Sequence, residues 1–279
     1  MNPRNLPTKY GEYAVVTGAS SGIGAEFATQ LAAAGFNLVL VARRRERLAE
    51  LADRLRAEHG TNSEVVELDL AGEGAVSELA RRTQHLDIGL VVASAGGLTS
   101  GQFVANSLEA ETALLALNLV VPMQLAHVYG GLFASRRRGA LILLASTVAF
   151  APAPYLANYA AAKAYIASLG QALNYELKRS GVDVLTLAPG PTRTEGVETA
   201  EGIDFGKLPL PMGPPSKVVR KALRGLGRKP LVIPGFMNRV SDFMGKHLAP
   251  RRAQTVMYGQ LLSRATTEGG HARRSKEAA

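Results

Sequence analysis

Short apolar runs alternate with longer segments of helical character along the first two thirds of the chain. The runs are rich in Val, Ile and Leu, and they are apolar enough to be covered on both faces, as the strands of a parallel sheet are. The pattern therefore predicts six buried strands. They span residues 13–17, 36–42, 63–68, 88–93, 140–145 and 182–188.

The segments between these strands carry spaced apolar residues together with Ala, Leu, Glu and Arg, which favour helices. Strands that alternate with helices are joined by right-handed crossovers, which place helices on both faces of a parallel sheet. We therefore predict a doubly wound α/β fold of the Rossmann type. The predicted helices span residues 23–34, 44–59, 75–84, 108–134 and 159–180.

The pattern loosens after Ala188, where glycine and proline punctuate shorter elements. A run at 230–234 is a candidate seventh strand, and neither an internal repeat nor a second domain is indicated. We expect an N-terminal arm at 1–12, one domain with a basic C-terminal extension at 13–268, and a tail at 269–279. The tail has too little apolar content to pack, so we expect it to fray.

The composition excludes several classes of protein. The 279 residues are 47% hydrophobic and 20% charged and include 0 Cys, which fits a globular chain and excludes disulfides, thiolate metal sites and cysteine nucleophiles. The first residues lack the apolar run of a secretory signal. The apolar stretch 140–155 is too short to span a membrane and contains Pro152 and Pro154. We expect a cytoplasmic protein without a transmembrane segment.

The net charge of +9 resides in the C-terminal quarter, where residues 211–279 hold 14 Lys and Arg against 3 Asp and Glu. A solvated basic surface and an acidic partner both fit this asymmetry. Pro234, Gly235 and Pro250 break the mixed basic and apolar segments, so peripheral membrane contact stays open but is not favoured. Nucleic-acid binding is not expected, because a helix-turn-helix signal and interleaved aromatic residues are both lacking.

A glycine-rich turn joins the first strand to the first long helix. Glycine lets the backbone approach a pyrophosphate closely, and the unpaired N–H groups of a helix N-terminus favour its negative charge. Three glycines can also simply close a strand-to-helix loop. We predict a nucleotide site here, with contacts from Gly18, Ser20, Ser21, Gly22, Ile23 and Gly24.

The same turn also spells G-x-S-x-G, the pattern with which a hydrolase exposes a nucleophilic serine. Such an enzyme needs an oxyanion loop from an earlier strand, and only 12 residues precede the strand that starts at Tyr13. The five histidines offer the serine no evident partner and form no H-E-x-x-H metal pattern. Hydrolysis is therefore not favoured, and no metal site is expected.

Arg43 follows the second strand, near the place where a dinucleotide site meets the adenosine ribose. NAD sites have an Asp or Glu there to accept from the ribose 2′-OH, whereas Arg offers donors to a 2′-phosphate. Arg43 therefore favours NADP. The alternative is that Arg43, Arg44, Arg45 and Arg47 only begin an exposed basic helix.

Tyr159 and Lys163 lie one helical turn apart at the start of a predicted helix, so both side chains share a face. A free phenol has a pKa near 10, and a cation within about 4 to 6 Å lowers that pKa toward the working range. Tyr159 is thus a candidate proton donor. Ser146 ends the fifth strand at the ligand-binding edge, where its hydroxyl can donate to a carbonyl oxygen or cap the strand end.

These motifs resemble the short-chain dehydrogenase/reductase family across roughly residues 13–194. The family's T-G-x-x-x-G-x-G pattern is matched at 17–24, its Tyr-x-x-x-Lys at 159–163, and its preceding serine at Ser146. The resemblance implies a catalytic role for Asn118. It also implies cofactor contacts from Asp69, Leu70, Ala95, Gly96, Tyr159, Lys163, Pro189, Gly190 and Thr192.

One position departs from the family pattern. The family's Asn-Asn-Ala-Gly after the fourth strand reads Ala93-Ser94-Ala95-Gly96 here. Ser94 can replace some of the lost hydrogen bonds, so we expect effects on stability or cofactor affinity rather than on the chemistry.

The resemblance implies an oxidoreductase that moves a hydride between a nicotinamide cofactor and a carbonyl or secondary alcohol. With Arg43 we expect NADP as the cofactor; the resemblance does not settle the direction, and we favour ketone reduction. Tyr159 would give its proton to the substrate oxygen, which Ser146 would polarise. Lys163 would stabilise the tyrosinate and hold the nicotinamide ribose, and Asn118 would order water. The alternative is an NADP-binding sensor or scaffold without turnover, which has no need of a matched acid and cation.

The substrate is expected to be apolar. The uncharged loop 148–155 and the region around Phe103 suggest a pocket for a lipid-like ketone, although a hydrophobic turn that seals the core has the same sequence. The helices from Leu108 and Tyr159 could bury their apolar stripes in the core or against a second subunit. The resemblance implies a homodimer or homotetramer.

Overall fold

The computed structural model describes residues 6–208, 212–247 and 250–266. Within these residues, seven strands form one wholly parallel sheet. They are β1 Tyr13–Thr17, β2 Asn37–Ala42, β3 Ser63–Glu67, β4 Ile88–Ala93, β5 Gly139–Leu144, β6 Val182–Leu187 and β7 Leu231–Val232. Their order across the sheet is β3-β2-β1-β4-β5-β6-β7, which confirms the predicted doubly wound fold.

Helices cover both faces of this sheet. Those among the described residues are α1 Leu6–Tyr10, α2 Gly22–Ala33, α3 Arg45–His59, α4 Ala75–Thr83, α5 Leu108–Leu115, α6 Val121–Ser135, α7 Ala157–Lys178, α8 Glu195–Glu198, α9 Pro215–Gly225, α10 Phe236–His247 and α11 Arg251–Ser263. Apolar residues of α1, α2, α3 and α9 form one core layer with the sheet, and those of α4, α6 and α7 form the other.

The strands alternate between these two layers, as the period of two in a strand requires. In β1, Ala14 and Val16 belong to the first layer and Val15 to the second. All three side chains are fully buried. Strands covered on both faces read as continuous apolar runs, which explains why the sequence pattern located them within one or two residues.

Helices α5 and α6 are joined by a π-helical segment, Ala116–Val120, into one rod of 28 residues. An 18-residue window of this rod has a mean hydropathy of 1.4, so by length and composition the rod, rather than the stretch 140–155, is the candidate membrane span among the described residues. Leu125, Tyr129 and Phe133 of the rod are buried against the sheet. The packing therefore accounts for the apolar sequence as that of a core helix.

The predicted seventh strand forms at the edge of the sheet, where β7 pairs in parallel with β6. Helix α10 begins directly after Pro234 and Gly235, and α11 begins after Pro250, so these residues separate the C-terminal helices. A small third apolar cluster packs α11 and the segment 203–208 against the chain at the start of α7. It contains Ala153, Leu156, Ala160, Ile203, Leu208, Leu262 and Ala265.

The N-terminal segment 1–12 includes α1, which packs against the first core layer. Leu6 and Tyr10 are buried, and the Tyr10 hydroxyl donates to a carboxylate oxygen of Asp183 at 2.7 Å. The tail predicted at 269–279 lies outside the described residues.

Candidate active site

The segments that follow the strands meet at one edge of the sheet and enclose a cavity of about 1300 Å³. The strand order reverses between β1 and β4, and open α/β sheets bind ligands beside the carboxyl ends of the strands at such a point. Every site residue predicted from the sequence lines this cavity. They are Gly18, Ser20, Ser21, Gly22, Ile23, Gly24, Arg43, Asp69, Leu70, Ala95, Gly96, Asn118, Ser146, Tyr159, Lys163, Pro189, Gly190 and Thr192.

Two glycine positions in the turn after β1 have no room for a side chain. Gly18 has a φ of 67°, and a Cβ there would lie 2.9 Å from the Cα of Ala95. A Cβ on Gly24 would collide with the carbonyl oxygen of Gly18. Ser21, the N-cap residue of α2, makes no side-chain hydrogen bond to this described helix, so its first N–H groups can serve an anion.

Ser94 joins the end of β4 to the end of β1. Its hydroxyl donates to the Thr17 carbonyl at 2.5 Å, and the backbone N–H groups of Ser94 and Ala95 each lie 3.1 Å from the Thr17 hydroxyl oxygen. Ser94 therefore supplies hydrogen bonds where the family pattern has asparagine, as expected. Thr17, which precedes the glycine turn, is the partner in all three bonds.

Two arginines follow β2 at the mouth of the cavity, and only the second is paired. Arg43 lines the cavity and has no hydrogen bond or ion pair with the described residues. Arg44 contacts the Ser20 hydroxyl and donates to Glu195 at 2.6 Å, and Arg47 donates to the same carboxylate at 2.6 Å. Glu195 was not recognised from the sequence, because a contact across 151 residues leaves no local pattern.

Ser146, Tyr159 and Lys163 converge in the middle of the cavity. The Lys163 ammonium lies 5.6 Å from the centre of the Tyr159 ring and donates to the Leu144 carbonyl at 3.0 Å. Burial raises the pKa of Tyr159, and a hydrogen bond with Ser146 offsets part of that rise. Burial also lowers the pKa of Lys163 to about 8.

The expectation that Lys163 lowers the pKa of Tyr159 is therefore wrong for this state of the protein. Burial of the phenol dominates its pKa, and the ammonium donates to a backbone carbonyl. A phenol with a raised pKa stays protonated at neutral pH. The Tyr159 phenol can therefore donate a proton, and Ser146 lies beside it.

Asn118 lies in the π-helical segment and is 1% exposed. Its amide nitrogen donates to the carbonyls of Gly97 and Leu114, both at 3.0 Å, while its buried Oδ1 has no hydrogen-bond partner among the described residues. A Cβ on Gly96 would lie 2.8 Å from this oxygen. Unpaired buried acceptors are rare, and π-helical segments are frequent at functional sites, so Oδ1 is a candidate contact for water or ligand.

A buried carboxylate behind α7 was not recognised from the sequence. Glu111 is 4% exposed and accepts hydrogen bonds from Thr99 at 3.1 Å and from Asn106 and Asn158 at 2.6 Å. Asn158 adjoins Tyr159 in the first turn of α7, where the helix dipole also favours a negative charge. Glu111 therefore ties the loop after β4 to the turn that carries Tyr159.

One wall of the cavity comes from the C-terminal helices and is largely apolar, although Asn238, Ser241 and Gln254 also line it. Met237 and Met244 of α10 and Met257 and Leu261 of α11 line it. The three methionines remain 64%, 50% and 54% exposed, respectively. Methionine is flexible and polarisable, so this wall can adapt to an irregular apolar ligand.

The loop 148–155 contributes only part of the expected lining. Val148, Phe150 and Ala151 face the cavity. The expectation for Phe103 is wrong: its side chain is 53% exposed and does not belong to the cavity lining. Phe103 lies in a short 3-10 turn before α5, which places its ring toward solvent.

The chemistry of the cavity is that of phenol, hydroxyl, amide and ammonium groups. These groups can transfer a proton and stabilise charge on a carbonyl oxygen. Within the described part of the chain, no group of three or more His, Asp or Glu side chains is arranged to hold a metal ion.

Known proteins are similar to this chain over most of its length. The family model for short chain dehydrogenases matches residues 12–202. The 7beta-hydroxysteroid dehydrogenase of Collinsella aerofaciens is 32% identical over 247 residues, which cover 87% of this chain and 94% of that protein.

Two solved structures share the fold. A short-chain dehydrogenase from Sphingobium yanoikuyae in complex with NADPH matches with a TM-score of 0.76 and 34% identity, covering 85% of this chain and 96% of that one. The bulky-bulky ketone specific alcohol dehydrogenase from Comamonas testosteroni matches with a TM-score of 0.73 and 32% identity, covering 85% and 95%. With the matched family model, the parallel sheet and the cavity at its carboxyl edge, the chain belongs to the short-chain dehydrogenase/reductase family of nicotinamide-dependent oxidoreductases.

Proposed function

We propose that this protein uses NADPH to reduce bulky, apolar ketones to secondary alcohols. The observation that carries the proposal is the convergence of Ser146, Tyr159 and Lys163 in a cavity that joins the glycine turn to an apolar wall. One end of this cavity fits a dinucleotide and the other fits a hydrophobic substrate. The three polar side chains lie where the two ligands would meet.

The cofactor end fits a dinucleotide that carries a 2′-phosphate. Gly18 and Gly24 leave backbone free beside a pyrophosphate, and α2 begins there with available N–H groups. Arg43 offers an unpaired guanidinium near the end of β2, where an adenosine ribose meets a sheet of this type. Asp69 follows β3 on the same side, and Asn118 Oδ1 is an open acceptor farther along the cavity.

We assign the remaining cofactor contacts to residues that line the same end and the middle of the cavity. They are Ser20, Ser21, Gly22, Ile23, Leu70, Ala95, Gly96, Tyr159, Lys163, Pro189, Gly190 and Thr192. The relative from Sphingobium yanoikuyae, which is solved with NADPH, supports the choice of cofactor.

When bound, NADPH supplies the hydride for the carbonyl carbon. Tyr159 donates its phenolic proton to the ketone oxygen, and the Ser146 hydroxyl donates a hydrogen bond to the same oxygen. The Lys163 ammonium stabilises the phenolate that this transfer leaves. The open Oδ1 of Asn118 holds a water through which a proton returns from solvent.

The pKa of Tyr159 is compatible with ketone reduction. Burial raises this pKa, so the residue is a phenol at neutral pH and can donate its proton to a ketone oxygen.

The apolar wall supports a bulky substrate. Met237, Met244 and Met257 together with Phe150 and Leu261 leave a wide, uncharged space beyond Tyr159. The relatives that act on hydroxysteroids and on bulky ketones are consistent with this class. A fused-ring or similarly large ketone matches the shape and chemistry of the wall.

We also propose a homodimer or homotetramer in the cytoplasm. Leu108, Leu132 and Tyr175 are 74%, 46% and 81% exposed on α5, α6 and α7, the long helices that the sequence analysis considered for subunit contacts. Light scattering coupled to size exclusion would contradict this assembly if it gave a monomer mass of 29.5 kDa.

The proposed function is tested by NADPH oxidation with a panel of ketones of increasing bulk. We expect turnover of the large apolar ketones and little turnover of sugar phosphates. Tyr159→Phe should lower kcat by about 10²- to 10⁴-fold, because it removes only the proton donor. Tyr165→Phe is the matched control, since Tyr165 is on the same helix but outside the cavity lining. Full turnover by Tyr159→Phe would contradict the mechanism.

A further inference from the structure

A carboxylate of the chain itself lies beside the arginines that follow β2 at the edge of the cavity. Glu195 begins α8 and bridges two arginines of the segment after β2. Arg44 donates to both carboxylate oxygens at 2.6 and 3.3 Å, and Arg47 donates to Oε2 at 2.6 Å. The Arg44 guanidinium also lies 3.1 Å from the Ser20 hydroxyl in the glycine turn.

This contact brings the loop after β6 against the glycine turn. The methyl and Cβ of Thr194 would lie 3.1 Å from a Cβ on Gly22, so the start of α8 rests directly over the start of α2. Gly196 and Val197 line the cavity from the same side. The start of α8 therefore lies beside the glycine turn, where Glu195 forms ion pairs with Arg44 and Arg47.

The arginine pair that binds Glu195 has the chemistry of a phosphate site. Two arginine guanidiniums donate to one anionic group, and Arg44 also donates to the Ser20 hydroxyl beside it. Paired arginines of this kind are a common donor set for a phosphate monoester. The site adjoins Arg43, next to which our proposed function puts the adenosine ribose. The carboxylate is fully ionised near neutral pH, because hydrogen bonds from Arg44 and Arg47 lower the pKa of Glu195 to about 2.

Resting on that proposed function, we infer that Glu195 is a cofactor-specificity residue that occupies the place of the NADP 2′-phosphate and is displaced when NADPH binds. The carboxylate and the phosphate cannot share the donors of Arg44 and Arg47, because two anions at hydrogen-bond distance from the same cation repel each other. NADH has no 2′-phosphate and leaves the pair of arginines with Glu195. Glu195 thus weakens the binding of NADPH but not that of NADH. It also links the entry of NADPH to a movement of α8.

The inference is tested by binding rather than by activity. Dissociation constants are measured by nicotinamide fluorescence for NADPH and NADH, and by calorimetry for adenosine 2′,5′-bisphosphate, which has no nicotinamide. Glu195→Gln should lower the Kd of NADPH and of the bisphosphate by about 3- to 10-fold, as expected for the loss of a competing exposed ion pair. The Kd of NADH should change by less than about 2-fold.

Glu198→Gln is the matched control. It removes the same charge from the same short helix, but Glu198 is exposed and has no ion pair with the described residues. It should leave all three dissociation constants near those of the unaltered protein. An equal effect of Glu195→Gln and Glu198→Gln would show general charge attraction and would overturn the inference.

The failure of this inference differs from the failure of the proposed cofactor. If Glu195→Gln tightens NADPH and NADH equally, or neither, the role of Glu195 is wrong while the NADPH preference of the protein stands. If the unaltered protein binds NADH as tightly as NADPH and Arg44→Ala changes neither, the cofactor assignment is wrong and the role of Glu195 falls with it.

Discussion

The two ends of the cavity are built in different ways. The cofactor end consists of strand ends and tight turns, in which Gly18 and Gly24 contact neighbouring backbone and Thr17 receives three hydrogen bonds. The substrate end consists of α10 and α11, whose methionines are about half exposed. Close packing fixes the first surface, whereas in the second a small apolar cluster includes residues of α11 and none of the described residues of α10.

The two ends differ in how strongly ligand binding constrains the sequence. A pyrophosphate is met by backbone atoms, so few sequences satisfy the cofactor end. An apolar substrate is met by side-chain surface, which many sequences provide. Substitutions at the first end should therefore have large effects on cofactor binding. Substitutions at the second end should have small effects, and only on substrate binding.

The largest effect is expected from Gly24→Ala. The new Cβ would collide with the Gly18 carbonyl oxygen, so the turn must shift. We expect about a 10²-fold loss of NADPH affinity and a free energy of unfolding lower by about 1 to 3 kcal/mol. Gly213→Ala is the control, because among the described residues no atom beyond its chain neighbours lies within 4 Å of its Cβ position. Equal NADPH affinity in both variants, measured by fluorescence titration, would count against a tightly built cofactor end.

Arg43→Asp should have the next largest effect. The change replaces a guanidinium with a carboxylate that accepts from a ribose hydroxyl and repels a 2′-phosphate. We expect the ratio of kcat/KM for NADPH over NADH to fall by about 10- to 100-fold. An unchanged ratio in steady-state kinetics would defeat the role given to Arg43.

Lys163→Met should stabilise the cofactor-free protein while it removes activity. Burial lowers the pKa of Lys163 to about 8, so the folded state disfavours its charged form at pH 7. Between pH 8 and the ordinary pKa of 10.5 the unfolded chain binds more protons, and the stability of the unaltered protein should rise with pH in that window. We expect the variant to gain about 1 to 3 kcal/mol at pH 7 and to lack that rise, as measured by urea unfolding. A less stable variant with the same pH dependence would contradict this.

Met257→Ser should have the smallest effect, confined to the substrate. Met257 lines the cavity but is 54% exposed, so the lost apolar contact is partial. We expect KM for a bulky ketone to rise about 3- to 10-fold, with the Kd of NADPH unchanged. Val256→Ser alters a neighbour of similar exposure outside this lining and should leave KM as it is. Equal effects of the two variants would show that the wall does not select the substrate.

The sequence predicted, for a physical reason, residues that line one cavity at the carboxyl edge of the sheet. Buried strands are continuous apolar runs, and the residues that follow them converge because parallel strands end at one edge. Ser146, Tyr159 and Lys163 could therefore be placed beside the glycine turn without coordinates. Asn118 required the family resemblance, since one polar residue in an apolar helix has no pattern of its own.

The features that the sequence analysis missed depend on long-range contacts. Glu195 reaches Arg44 across 151 residues, and the hydrogen bond from Asn158 to Glu111 spans 47 residues. The direction of the Tyr159 pKa was also wrong, because neighbouring charge could be inferred from spacing but the depth of burial could not. The apolar wall depends on how α10 and α11 pack, which proline and glycine breaks alone do not specify.

The central claim is that a hydride passes directly from NADPH to a ketone carbon at Tyr159. Reduction of a bulky ketone with NADPH deuterated at C4 of the nicotinamide, followed by mass spectrometry of the alcohol, tests this claim most directly. With the transferring face labelled, the account predicts one deuterium on the carbinol carbon and product formation at least about 10²-fold slower in Tyr159→Phe. An alcohol without deuterium from either labelled face, or equal rates in both proteins, would contradict it.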